Sequence, residues 1–174
     1  MDYNALLKTH KKKPLASVEG LSVSLSVDRE TIKRIIPQRD PILFLDELTG
    51  IDPEAGIIAG KRFLDPADPV FRGHFPEYPV YPGSSTVEMI GQLGLCLYYF
   101  LEHNTTIVPP DATPVLLRAT RILGAVFCRP LPPGKEVTLI AKKLDYDGFL
   151  ATAVGQALVD GEVACVSIGE VAFL

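Results

Sequence analysis

The run STVEMIGQLGLCLYYFL, Ser85 to Leu101, constrains the fold of this chain more than any other segment. It holds no proline and opens on polar residues, which predicts a helix. Val87, Met89, Ile90, Leu93, Leu95, Leu97 and Phe100 put apolar side chains on every side of that helix. A helix with no polar face has to be covered all round, and in one domain a sheet curled about it does this. Strand-like runs follow at 115–122, 137–144, 149–159 and 163–173, after a polar, Pro-containing loop from His103 to Pro114. The turns between them are Pro132-Pro133-Gly134, Asp145-Tyr146-Asp147-Gly148 and Asp160-Gly161, the last a strong hairpin signal. One helix and then consecutive strands is an α+β order rather than alternating βαβ.

At 174 residues the chain fits one domain, read here as residues 28–174 preceded by an N-terminal extension, residues 1–27. Within the extension, Leu21 to Val27 alternates apolar and polar as a half-buried strand does, so part of it is expected to pair with the sheet. Lys11-Lys12-Lys13-Pro14 reads as a solvated surface or a frayed end, with docking to an acidic partner as the competing reading. Asp28 caps an expected helix from Arg29 to Ile36 that Pro37 stops. Ile42 to Leu45 and Ile57 to Phe63 read as further strands.

The net charge of −4 argues against a general nucleic-acid binder, which needs a basic face. Cys96, Cys128 and Cys165 are odd in number and set among apolar neighbours, as expected of buried free thiols in a reducing compartment. Met1 to Lys13 lacks the apolar core of a signal peptide, and Leu93 to Leu101 is too short to span a membrane. A cytoplasmic protein is the expectation.

Just before the helix lies the densest chemistry, RGHFPEYPVYPGSSTVEMIGQ, Arg72 to Gln92. His74 and Glu88 are fourteen positions apart with Pro76, Pro79, Pro82 and Gly83 between them, so loop and helix carry them separately. An imidazole and a carboxyl so mounted form a plausible general base and acid. Without context each has a plainer role. A lone loop histidine is usually structural, and Ser85-Thr86-Val87-Glu88 has the spacing of a capping box, which spacing alone favours. No cluster of residue types suggests a metal site.

The pattern GHFPxxPxxPG, with a glutamate and then a glutamine four residues on, resembles the active-site segment of the 3-hydroxyacyl-[acyl-carrier-protein] dehydratases. His74-Phe75-Pro76, Pro79, Pro82-Gly83, Glu88 and Gln92 match at that family's spacing. Weaker similarity extends from about Ile32, through IIPQRDPILFLD, to Phe127–Gly134 and the C-terminal strands. The resemblance implies a hotdog fold, in which an antiparallel sheet wraps a long central helix. It implies dehydration of a 3-hydroxyacyl thioester with no cofactor, His74 as base, Glu88 as acid and the amide of Gly83 polarising the thioester carbonyl. It further implies a homodimer whose two subunits share each active site, as such or within a larger oligomer. The substrate would arrive on acyl carrier protein or on coenzyme A.

The residue types suit that chemistry. Imidazole changes charge closest to neutrality and can accept the C2 proton. The acid that protonates the departing oxygen has to stay protonated near neutral pH, which burial among apolar groups achieves; Glu88 stands between Val87 and Met89. Amides at a helix start are good donors to the charge growing on the thioester oxygen. Gln92, one turn beyond Glu88, shares its face and could orient it, or simply satisfy itself as buried glutamines do.

The chain departs from the family at several places. Glu77 replaces a glycine, which would strain the loop if that turn needs φ > 0. Tyr81 stands where methionine is common, and Ser84-Ser85-Thr86 replaces an apolar run, which suggests a narrower or more polar acyl channel. Gln38 stands where a histidine is often found. Gly124, Ala125, Val126 and Cys128 occupy positions that often carry the basic residues facing the carrier protein, leaving Arg118, Arg121 and Arg129 as a smaller candidate patch or as plain surface arginines. Glutamate rather than aspartate at position 88 argues against an added isomerase step. The alternatives are a hotdog thioesterase, which usually lacks the His-Phe-Pro loop, and a non-catalytic acyl-thioester binder.

Overall fold

The computed structural model describes residues 1–174. The chain forms, in order, helix α1 (Tyr3–His10), strand β1 (Val23–Asp28), helix α2 (Arg29–Ile32), strands β2 (Glu47–Asp52) and β3 (Ile57–Phe63), helices α3 (Val70–Gly73) and α4 (Gly83–Glu102), and then strands β4 (Leu117–Phe127), β5 (Glu136–Tyr146), β6 (Leu150–Val159) and β7 (Glu162–Phe173). The strands form one antiparallel sheet in the order β1-β2-β3-β5-β6-β7-β4, leaving β1 and β4 as its edges. The Asp160-Gly161 hairpin forms as the sequence predicts. Its residues take φ of 52° and 78°, the left-handed pair that joins two twisted strands without splaying them.

The sheet wraps α4. Met89, Leu93, Cys96 and Leu97 have no exposed surface and belong to a 27-residue core with Leu48, Ile58, Leu139 and Ala157 of the strands. Each such leucine contributes about 1.5–3 kcal/mol by leaving water. Two strand positions have no room for a Cβ. At Gly60 it would stand 2.8 Å from the Glu47 carbonyl oxygen of β2 and 3.1 Å from Leu93 Cδ1 of α4, and at Gly155 it would stand 2.4 Å from Ile90 Cγ2 of α4. The architecture is the hotdog arrangement, and no helix is long and apolar enough to cross a membrane.

Three local expectations need correction. Residues 42–45 belong to no strand, although Leu43 and Leu45 are fully buried; Ile42 closes a turn and irregular chain follows. The Ile42 and Leu43 amides donate to the Arg39 carbonyl, and side chains rather than a neighbouring strand hold other backbone groups of the segment. Gln92 binds the Ile42 carbonyl and the Phe44 amide, and Arg29 binds the Leu43 and Leu45 carbonyls. The helix capped by Asp28 ends at Ile32, and bonds such as Ile35 N–H to the Ile32 carbonyl carry the chain on as turns. Of the three thiols, Cys96 and Cys165 are buried, but Cys128 is exposed at the end of β4. Burial, with a smaller contribution from nearby Cys128, pushes Cys165 up to about 12, so a thiol reagent at neutral pH is expected to modify Cys128 first.

The N-terminal segment lies on the convex side of the sheet. Leu7 of α1 packs with Val154, Val166 and Ile168, and Leu15, Ala16, Val18 and Leu21 pack on Ile57, Ile140, Leu158 and Val163. Gln156 of β6, which has no exposed surface, fastens it. Its Oε1 accepts from the Leu15 N–H at 2.7 Å, and its Nε2 donates to the carbonyls of His10 and Lys13. Gln156→Leu would leave three backbone groups unpaired, each costing about 1–3 kcal/mol if it stays buried. Faster tryptic cleavage after Lys11 and Lys12 is expected in that variant, and unchanged cleavage would show that the glutamine is not the fastening.

Candidate active site

Helix α4 begins at Gly83 with Pro82 as its cap and no side-chain cap bond. The start lies two residues before the expected Ser85, so the capping box does not form. The Thr86 hydroxyl donates to the Pro82 carbonyl, and Glu88 turns along the helix instead. Its Oε1 accepts from Gln92 Nε2 at 2.9 Å and from Gln38 Nε2 at 3.4 Å. Gln92 has little freedom to do otherwise. It is 1% exposed, and its Oε1 is already held by the Phe44 N–H at 2.8 Å, so its Nε2 must face Ile42 and Glu88. Gln38 is a site residue that the sequence marked only as a departure, and nothing in its spacing pointed to Glu88.

Glu88 is exposed in the single chain, contrary to the burial its apolar neighbours suggested. It sits beside a cavity of about 180 Å³ between α4 and the concave face of the sheet. Small residues, Ala141, Ala151, Ala153, Gly155 and Gly169, hold that cavity open. Gln92→Leu keeps the volume but strips Glu88 of its main donor and leaves the Phe44 N–H unpaired. A loss of about 2–4 kcal/mol in stability is expected from chemical denaturation, and an unchanged midpoint would count against this network.

His74 caps the C-terminus of α3 and is half-buried. Its loop is closed by the Val80 N–H to the His74 carbonyl at 2.9 Å and by reciprocal bonds between Phe75 and Tyr78. Glu77 lies within this closure and does not take a positive φ, so its replacement of glycine introduces no backbone strain. The ring packs on Phe75 with centroids 4.1 Å apart, and Nδ1 lies 3.0 Å from the Val80 carbonyl oxygen. A carbonyl can only accept, so Nδ1 carries the proton and Nε2 presents a lone pair.

His74 and Gly83 border a second recess, of about 450 Å³, floored by Tyr81. Tyr81 packs edge-on to Phe44 and tilted on Phe71, and its burial pushes the phenol up to about 12. The amides of Gly83, Ser84 and Ser85 make no hydrogen bond within the chain and form the exposed positive end of the helix. A Cβ at Gly83 would come within 2.8 Å of the Phe127 ring, so a larger residue there would turn that exposed ring aside. His74 and Glu88 line different recesses, so one chain does not bring them together in either.

The three candidate docking arginines do not converge. Arg121 is held by Glu170, with Nε to Oε1 at 2.9 Å, and Arg129 is paired with Glu162. Arg121 and the Thr120 hydroxyl together hold the Glu170 carboxyl down at about 2. Arg118 is exposed on β4 and makes no ion pair. The residues contain no cluster of three or more His, Cys, Asp or Glu suited to a metal ion.

Residues 36–167 match the FabA-like domain family. The chain is 33% identical to the 3-hydroxyacyl-[acyl-carrier-protein] dehydratase FabZ of Bacillus licheniformis over 142 residues, covering 80% of this chain and 90% of that protein. It is 34% identical to the FabZ of Variovorax paradoxus over 140 residues, covering 80% and 89%. Among solved structures, the dehydratase heterocomplex ApeI:P from Xenorhabdus doucetiae superposes with a TM-score of 0.62 at 13% identity, over 82% of this chain and 90% of that one. Thioesterase PA1618 from Pseudomonas aeruginosa gives 0.54 at 16% identity, over 74% and 80%. At such identities the two structures speak to the fold alone, and they share it. The sequence relatives and the domain match carry more: the chain belongs to the FabA-like family of 3-hydroxyacyl-[acyl-carrier-protein] dehydratases.

Proposed function

We propose that the protein interconverts a 3-hydroxyacyl thioester borne by acyl carrier protein with the trans-2-enoyl thioester and water, in fatty acid or related lipid synthesis. One observation carries the reading. In a chain of this family, the motif's histidine and glutamate each sit on a rigid mount with one reactive atom left free: Nε2 of His74 and Oε2 of Glu88.

In the forward direction His74 Nε2 takes the C2 proton. Glu88 gives its proton to the C3 oxygen, the C3–O bond breaks, and water leaves as the double bond forms. The Gly83 amide meets the charge that grows on the thioester oxygen. The imidazolium proton then returns to the carboxylate, directly or through water. The elimination exchanges protons and releases water without an external oxidant or reductant, so the reaction needs no cofactor. The cavity between α4 and the strands, lined by alanines and glycines beside Glu88, accommodates the acyl chain.

The site is shared between two copies of the chain, with residues 28–174 as the catalytic domain. Edge strand β4 supports this. It runs eleven residues unpaired on one side, with Ile122 68% exposed and Phe127 57% exposed, and such an edge invites a partner. Phe127 borders the His74 recess, whereas Ala119, Arg121 and Ile122 border the Glu88 cavity. Antiparallel pairing of β4 with its copy about Ile122 would set the Phe127 end of one chain beside the Ala119 end of the other. His74 would then face Glu88 of the partner subunit, and the partner would cover the carboxyl that the single chain exposes. The cytoplasm, where the exposed Cys128 thiol stays reduced, is the compartment this reading implies.

The test is hydration of an enoyl thioester, followed by loss of its conjugated absorbance, on carrier-protein and coenzyme A substrates. Turnover is expected with at least the carrier-borne substrate. A folded protein that only releases free thiol would be a thioesterase, and one that binds without turnover would be a non-catalytic member.

A further inference from the structure

Lys11 and Lys12 are unexplained by the reaction, yet their position is fixed. The backbone is held on both sides of them, at the His10 and Lys13 carbonyls, by the buried amide of Gln156. Helix α1 holds the same segment against β4. A Cβ at Gly124 would stand 2.6 Å from Leu7 Cδ1, and Leu123 and Val126 join Leu7 in one apolar cluster. The small and apolar residues at 124–126 therefore make room for this segment.

What the segment brings in return is charge. Lys11 and Lys12 are exposed and border a recess of about 490 Å³ with Phe127, Cys128 and Arg129. Those last three also wall the recess of His74, so the two recesses adjoin. The recess holds one carboxylate, Glu162, and Arg129 already neutralises it. Neither lysine takes part in any of the chain's ion pairs. In a protein of net charge −4, these two cations on an anchored loop give the rim of the active-site recess a local positive charge.

We propose that Lys11 and Lys12 form the landing surface for an acidic acyl carrier protein, which passes its thioester arm by Arg129 to the recess of His74. The proposal rests on the dehydratase reading and names the partner of that same site. Both lysines are exposed rather than enclosed, which suits the acidic face of a protein better than a buried phosphate. Exposed charges of this kind act by steering, so the effect belongs in KM and in its dependence on salt.

The experiment compares one enoyl group on carrier protein, on coenzyme A and on N-acetylcysteamine, for wild type and for Lys11→Glu/Lys12→Glu. The ratio of kcat/KM on carrier protein to that on N-acetylcysteamine is expected to fall about tenfold or more, with a flatter dependence on salt. Lys11→Ala/Lys12→Ala, which adds no new charge, should move the ratio in the same direction by less. An unchanged ratio in an active enzyme overturns the proposal and leaves the dehydratase reading standing. An equal fall on coenzyme A overturns it in favour of a phosphate contact. An unchanged ratio together with lost sedimentation on phosphatidylglycerol vesicles overturns it in favour of a membrane surface. Wild type inactive on all three thioesters removes the dehydratase reading, and the proposal with it.

Discussion

His74→Ala is expected to lower kcat for enoyl-thioester hydration by about a thousandfold, within the range a positioned general base contributes. Folding should be little affected. The ring is half-buried and makes one side-chain hydrogen bond, to the Val80 carbonyl, while separate backbone bonds close its loop. Glu88→Gln should cost a similar factor by a cleaner route. The amide keeps the size of the carboxyl, and its oxygen can still accept from Gln92 Nε2, so only the acidic proton is lost. Both variants should unfold at the wild-type denaturant midpoint. Full activity in His74→Ala would contradict the assignment of the base.

Gly155→Val is expected to destabilise the fold by about 3 kcal/mol, the upper range for overpacking a closed core. The new Cβ would sit 2.4 Å from Ile90 Cγ2 and 3.2 Å from the Ile140 carbonyl oxygen. Neither neighbour gives way easily. Ile90 is β-branched within a helix and confined to one rotamer, and Ile140 is paired backbone of β5. Helix α4 would have to lift from β6 along a seam that also includes the close approach of Gly94 to the Ala153 Cβ, where an added Cβ would find 3.8 Å. Urea unfolding at one fixed protein concentration reads this as a lower midpoint with unchanged slope. Because Gly155 also lines the cavity beside Glu88 that we propose for the acyl chain, the folded fraction should lose turnover on longer chains before shorter ones. A wild-type midpoint would mean that the helix is not seated on β6 as described.

The parts of this fold legible in the sequence are those whose cause is local. All-round apolarity of the central helix required a wrapping sheet, Asp160-Gly161 required a hairpin, and β3 falls at Ile57–Phe63 as its pattern predicts. Where partners are distant, the sequence pattern misled or was silent. The apolar residues 42–45 read as a strand, yet their backbone bonds end on the Arg39 carbonyl and on the side chains of Gln92 and Arg29, which no periodicity shows. The capping-box spacing at Ser85 was real, but Pro82 and Gly83 start the helix earlier and free Glu88 from the cap. Gln156 left one faint signal, an amide between Gly155 and Ala157 in a largely apolar strand, which had to find buried partners somewhere. Those partners are the backbone around Lys11 and Lys12, so a run that read as a solvated surface or frayed end is exposed but held in place.

The most direct test of the shared site is complementation between the two inactive variants. His74→Ala and Glu88→Gln proteins would be mixed, unfolded and refolded together, then assayed for enoyl-thioester hydration. In each mixed dimer one site would hold both native residues and the other neither. Random pairing makes half the dimers mixed, so about one quarter of wild-type activity should return. If His74 and Glu88 acted within one chain, no mixed dimer would contain an intact site, and activity would stay at the level of the separate variants.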